Sequence, residues 1–334
     1  MKKHIFLLIL SSYLFSQENI SKVGTTSAQF LKIGVDARAT GMGDAFVAVD
    51  GDMSNIYWNP SGLASIKNPG GLFTNSDWLA GIKIYFGSTL FTTPIGNIGL
   101  YVQSLSVPED DVRTVSHPEG TGEKFSSSNL ALGMSFAKTV SDQFSFGITG
   151  KYIQELIWTM QSNSIALDIG GLYQTDIKNL NVGFSISNFG TSGHMFGRAN
   201  IGYVDIDPLT DGNNELIRAR LDGEFWELPL AMRVGISYKP IDKKMLSILL
   251  AVDAVHPNDN YEFVNIGTEL SLSNLVLFRA GYRGIGLKNR EGGLAIGVGI
   301  KLTLAGSNRL LIDYSYVDYG VLNMVNRLTI GTTF

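Results

Sequence analysis

The chain has 334 residues, a formal net charge of −4, 44% hydrophobic and only 17% charged residues, and no cysteine. The lack of cysteine excludes disulfides, thiolate metal sites and cysteine nucleophiles, and the slight acidity, with no Lys/Arg block, argues against a nucleic-acid partner. No run of about 18 consecutive apolar residues occurs, so a membrane-spanning helix is excluded and any span must be built from strands.

Met1, Lys2, Lys3 and His4 form a positive region ahead of an apolar stretch, residues 5–15, broken only by Ser11 and Ser12. That stretch is too short to cross a bilayer as a helix. It reads as a secretory signal peptide, residues 1–16, cleaved before Gln17. The next unit, residues 17–70, does not alternate in polarity from residue 24 onward, and three of its glycines, Gly41, Gly43 and Gly62, fall among apolar and aromatic residues.

From about residue 71 the sequence alternates. Leu294, Ile296, Val298, Ile300, Leu302 and Leu304 take one phase, and small or polar residues such as Gly297, Gly299 and Lys301 take the other. Met232, Val234, Ile236 and Tyr238 stand against Arg233, Gly235, Ser237 and Lys239 in the same way. A period of two over such lengths predicts strands with one apolar face. Fourteen are expected, at 71–78, 82–93, 98–107, 128–140, 144–157, 163–175, 180–188, 229–240, 245–255, 262–272, 275–284, 292–305, 309–318 and 323–334. The first alternates worst. Most reach the ~9–11 residues a tilted membrane strand needs, against ~5–6 in soluble sheets.

Tight turns rich in Gly, Pro, Asn and Asp are predicted at 94–97, 141–143, 176–179, 241–244, 273–274 and 306–308. They alternate with longer insertions, above all 108–127 and 189–228. Short periplasmic turns and long outer loops are the habit of outer-membrane barrels, and an even strand count puts both termini at the turn end. Lys83, Lys151, Asp168, Arg233, Lys239, Asp253, Glu269, Arg279, Arg283, Lys301, Asp313 and Arg327 lie on the polar phase and are expected in the lumen. At the lipid midplane a Lys or Arg would cost roughly 2–4 kcal/mol. Their mixed signs predict a salt-bridged interior. Tyr152, Tyr173, Tyr238, Tyr282, Tyr314 and Tyr316 sit on the apolar phase, as an interfacial aromatic belt requires. The last strand presents Leu328, Ile330, Thr332 and Phe334 on one face and ends on an aromatic residue. That ending resembles the insertion signal of outer-membrane barrels, carried by Leu328, Ile330 and Phe334.

Residues 24–70 carry a longer signature. Ala37, Arg38, Ala39, Gly41, Met42, Gly43, Ala45, Phe46, Val47 and Ala48 are followed, after an acidic stretch, by Trp58, Asn59, Pro60, Gly62 and Leu63. This run resembles the N-terminal pattern of the PorV/PorQ family, whose members are similar in fold to FadL-type channels; Ser61 stands where that pattern usually has Ala. The resemblance implies an all-β, fourteen-stranded transmembrane barrel of residues 71–334 in the outer membrane. It also implies a lumenal plug of residues 17–70, with Gly41, Met42, Gly43, Phe46, Trp58, Asn59, Pro60 and Gly62 as its motif. Gly41 and Gly43 permit close approach to a wall, and Pro60 disfavours helical geometry at Asn59.

The resemblance further implies a role in type IX protein secretion. Such a barrel collects exported proteins from the secretion translocon by their C-terminal signal domains and hands them on for surface attachment. The alternative is FadL-like uptake of long-chain fatty acids or other hydrophobic small molecules, with an apolar pocket lined by Phe30, Phe46, Tyr57 and Trp58. A structural, porin-like role is the blandest option. Outer-membrane lipid is a partner in every case. No enzyme, cofactor or metal site is expected: His117, His194 and His256 fall in separate predicted loops, and no Ser-His-acid grouping assembles. The acid- and amide-rich stretch 205–215 departs from EF-hand spacing and contains Pro208, so a solvated outer loop is expected rather than a calcium site. Gly41-Met42-Gly43 lacks the context of a phosphate cradle.

Overall fold

A computed structural model describes residues 22–207, 209, 216–287, 290, 292–304 and 308–334. The predicted signal peptide, most of the acidic stretch 205–215 and part of the turn at 306–308 lie outside the described residues.

Fourteen antiparallel strands close into a barrel. In chain order they are β1 (Gly70–Asp77), β2 (Lys83–Thr93), β3 (Gly96–Ser106), β4 (Ser127–Ser141), β5 (Phe144–Ile157), β6 (Met160–Gln174), β7 (Leu180–Gly190), β8 (Ala231–Asp242), β9 (Leu246–Pro257), β10 (Phe263–Leu272), β11 (Val276–Ile285), β12 (Leu294–Thr303), β13 (Arg309–Asp318) and β14 (Met324–Thr333). Each pairs with its neighbours in sequence, and β14 closes the ring on β1, from Gly70 opposite Thr333 to Asp77 opposite Asn326. Closure leaves no unpaired edge, which a sheet in hydrocarbon requires.

The barrel is apolar outside and largely polar inside. Ile296, Val298, Ile300 and Leu302 of β12 are exposed, as are Met232, Val234, Ile236 and Tyr238 of β8, while Ser237, Asp253, Asp313, Ser315 and Arg327 are buried. Such a surface needs an apolar surrounding. Leu328, Ile330 and Phe334 also face outward, and the Phe334 amide donates to Pro69 O at 2.9 Å. Tyr152, Tyr173, Tyr238, Tyr314 and Tyr316 lie exposed on the same outer side, whereas Tyr282 is half covered.

Several expectations need correction. Lys83 does not face the lumen: it is exposed beside Asp77 on the outward phase at the loop end. The cause is an inverted pattern in β1–β3, whose inner face carries Leu72, Ile84, Phe86, Leu90, Tyr101 and Leu105, all buried. Apolar groups lie on both sides there, so alternation no longer marks the lumen. The first turn is only residues 94–95, since Gly96 and Asn97 pair with Thr93 and Thr92. His256 lies on β9, opposite Met232, not in a loop. The outer insertions carry structure of their own: Asp110–Asp111 pairs with Lys124–Phe125, Ile201–Val204 with Ile217–Arg220, and Phe196–Gly197 with β6.

The first described residues do not lie at the turn end with the C-terminus. The Ser27 amide donates to Glu227 O at 2.9 Å, Ala28 to Glu155 Oε1 at 3.0 Å, and Lys32 pairs with Asp259 at 2.8 Å, all at the loop end. The chain then descends between opposite walls and joins β1 at the turn end, where the C-terminus lies. An even strand count fixes only where the barrel's own ends fall; the segment ahead of β1 spans its height.

Candidate functional site

The signature residues all lie in this descending segment, and their chemistry attaches it to the wall. Helix α1 (Ala37–Gly41) is capped by Asp36, whose carboxylate accepts from the Ala39 amide at 2.8 Å. One turn of helix has almost no stability of its own. Contacts with the barrel hold it: the Ala37 amide donates to Thr329 Oγ1 at 2.9 Å, and the Thr40 and Ser315 hydroxyls lie 2.9 Å apart.

Arg38 is the electrostatic anchor. It donates to Glu269 of β10 at 2.7 and 2.8 Å and to Asp52 of its own segment at 2.8 Å. Glu269 also accepts from Arg279 Nε at 2.6 Å, and Arg279 Nη1 donates to Asp313 at 2.6 Å. Asp52, Arg38, Glu269, Arg279 and Asp313 thus form one chain of alternating charge from the segment to β13. Lys151 and Asp168 make a second buried pair at 2.7 Å. These are the salt bridges expected of mixed signs in a lumen; sequence reasoning missed that Asp52 and Arg38 belong to them.

Backbone groups are anchored as well. Asp253 of β9 accepts from the amides of Phe46 and Val47 at 2.6 and 2.8 Å. Asn59 Nδ2 donates to Val47 O at 2.7 Å and Gly171 O at 3.2 Å, while its Oδ1 accepts from Ser61 Oγ at 2.7 Å. That last bond gives Ser61 a purpose an alanine would lack. Pro60 lies against Gly147 and Gly170 of the wall, with no room for a side chain there. Gly43 has φ +65°, and a Cβ on it would fall 2.9 Å from Ile266 O and from Gly281 C. Both the left-handed backbone and the close approach require glycine.

Met42, Phe46 and Trp58 are buried in one apolar cluster. Tyr57 packs edge-on to Trp58, with ring centroids 5.0 Å apart, and reaches Phe86 at 6.5 Å; Phe30 joins a neighbouring cluster with Leu31, Ile56 and Leu63. Trp58 Nε1 donates to Asp36 at 2.8 Å. Burial, then the nearby Asp52 charge, pushes the Asp36 carboxyl up to about 6, and burial pushes the Tyr57 hydroxyl up. The structure therefore brings Phe30, Phe46, Tyr57 and Trp58 near one another as packed side chains. None of the four lines the cavity of about 420 Å³ at the turn end, whose walls include Arg38, Asp52, Lys239, Glu269, Lys301 and Arg309. Leu328, Ile330 and Phe334 belong to the outer surface, apart from this segment.

The model of the family described as "Type IX secretion system protein PorV" matches residues 15–195, more than half of the chain and the whole of this segment. The chain belongs to the PorV family. Its location is the outer membrane. Among solved structures it is similar to a Pseudomonas aeruginosa FadL homologue, at 10% identity and a TM-score of 0.56, covering 90% of this chain and 98% of that one. It is also similar to the Ralstonia pickettii toluene transporter TbuX, at 11% identity and a TM-score of 0.56, covering 90% and 97%. The Pseudomonas putida toluene transporter TodX gives 12% identity and a TM-score of 0.53 over 96% and 98%. These likenesses establish the fold. No curated protein matches the chain.

Proposed function

We propose that this PorV-family barrel acts in type IX secretion, binding exported proteins and handing them on for surface attachment. Residues 17–70 serve as a lumenal plug, residues 71–334 as the transmembrane barrel, and the client docks on the outer loops 108–127 and 189–228. The family match carries the reading. Two further features support it. Phe225 is 69% exposed and Tyr203 67% on the longer loop, apolar surface suited to a protein partner. The cavity at the turn end mixes ten charged side chains with apolar ones such as Leu72, Leu249 and Leu277, a poorer lining for a hydrocarbon than a wholly apolar one.

Uptake of hydrophobic compounds would instead use space around Phe30, Phe46, Tyr57 and Trp58. One experiment separates the two. Deletion of the protein is expected to trap exported clients inside the cell while fatty-acid and toluene uptake stay unchanged; slowed uptake with normal secretion would reverse the assignment. Cross-linking in cells is expected to recover a translocon barrel and the C-terminal signal domains of clients.

A further inference from the structure

The cavity at the turn end has seven basic lining side chains against three acidic ones. Two of the seven, Arg38 and Arg279, are committed to Asp52, Glu269 and Asp313. Among the described residues, the remaining five, Lys239, Lys243, Lys244, Lys301 and Arg309, have no carboxylate at ion-pair distance. Arg279, whose side chain is fully buried, also keeps an Nη2 with no hydrogen-bond partner. Unbalanced like charges around one space repel each other, and an anion placed between them removes that cost.

Volume and position narrow the class of anion. About 420 Å³ lies within the ~300–1,000 Å³ of small-molecule sites and is too small for a folded partner. Lysine ammonium groups act as point charges toward phosphate, and arginine adds a planar fork. Inward residues of β8, β12 and β13 wall the cavity inside a closed barrel, so a lipid whose tails remain in the bilayer does not reach it. The turn end faces the periplasm. We propose that this cavity binds a multivalent oxyanion from the periplasm, in chemical class a small organic phosphate. Because Arg38, Asp52 and Met53 line it together with the wall, an occupant bridges the N-terminal segment and the barrel.

The test is calorimetric titration of the purified, detergent-solubilised protein with pyrophosphate at low, matched ionic strength. Saturable binding to one site per chain is expected. A Lys239→Gln/Lys301→Gln double variant should bind at least about tenfold more weakly, since two charges near the ligand are lost. Lys83→Gln, on the outer surface, should bind like the wild type, and Lys301→Arg should retain binding, which controls for folding. No saturable heat, or equal affinity in the double variant, would overturn the proposal. So would binding of a poly-glutamate peptide without any response to pyrophosphate, because a protein segment would then be the occupant.

Discussion

The two sides of the barrel hold the same N-terminal segment by different physics. On β1–β3 the inner wall is apolar: Ile84, Phe86, Leu90 and Tyr101 pack against Phe30, Leu31, Ile56 and Leu63. On β9–β13 it is largely ionic: Asp253 holds the backbone of Phe46 and Val47, Glu269 holds the side chain of Arg38, and Arg279 and Asp313 carry the ion chain on along the wall, with Leu249 and Ala251 the apolar exception. Apolar contact is non-directional and roughly proportional to area, so it tolerates small shifts. Buried charge is unforgiving, because one missing partner leaves an uncompensated ion. The apolar side therefore gives adhesion, and the ionic side gives register.

The largest expected effect is on the ionic side. Arg279→Ala strands Asp313, leaves Glu269 with Arg38 alone, and should destabilise the folded barrel by roughly 3–5 kcal/mol, read from urea unfolding in detergent. Lys151→Met should behave similarly by stranding Asp168, while Lys151→Met with Asp168→Leu should recover much of the loss. That pair lies on β5 and β6, between the two walls; if the double variant is as unstable as the single, the premise that a stranded charge causes the loss fails. On the apolar side, Leu63→Ala should cost about 2–5 kcal/mol. Its midpoint shift should not change with salt, whereas loss of charge on the opposite wall should show some salt dependence. A smaller effect is expected for Asn59→Ala, about 1–3 kcal/mol, from Val47 and Gly171 carbonyls left without their donor. Protease sensitivity of residues 28–66 should rise in that variant if Asn59 holds the segment. The least effect belongs to Lys83→Gln, whose exposed partner Asp77 is already solvated: no measurable shift in the unfolding midpoint is expected.

Alternation marked the strands well where only one face was apolar. Residues 144–157 and 309–318 were placed at their observed bounds, and most other boundaries lay within two residues. It failed on Lys83 for the reason the comparison gives: where the inner wall is also apolar, period two no longer tells lumen from lipid. The signature residues were legible as a group because glycine and proline constrain the backbone: Gly43 takes the left-handed conformation, and Asn59, ahead of Pro60, is extended rather than helical. Their partners were not. Asp253 lies 207 residues beyond Phe46, and Glu269 lies 231 beyond Arg38; no local pattern links them.

Period-two polarity, strand length and turn chemistry, all local properties, were enough by themselves to place fourteen strands, each with one aliphatic face. Barrel closure decided the rest. Only the folded ring brings β9–β13 around to face residues 36–53, so only it could show that the signature is a set of anchors. The same closure gathers Lys239, Lys301 and Arg309, on three different strands, around one basic cavity. Charges so far apart along the chain interact only once hydrogen-bonded strands fix their distances.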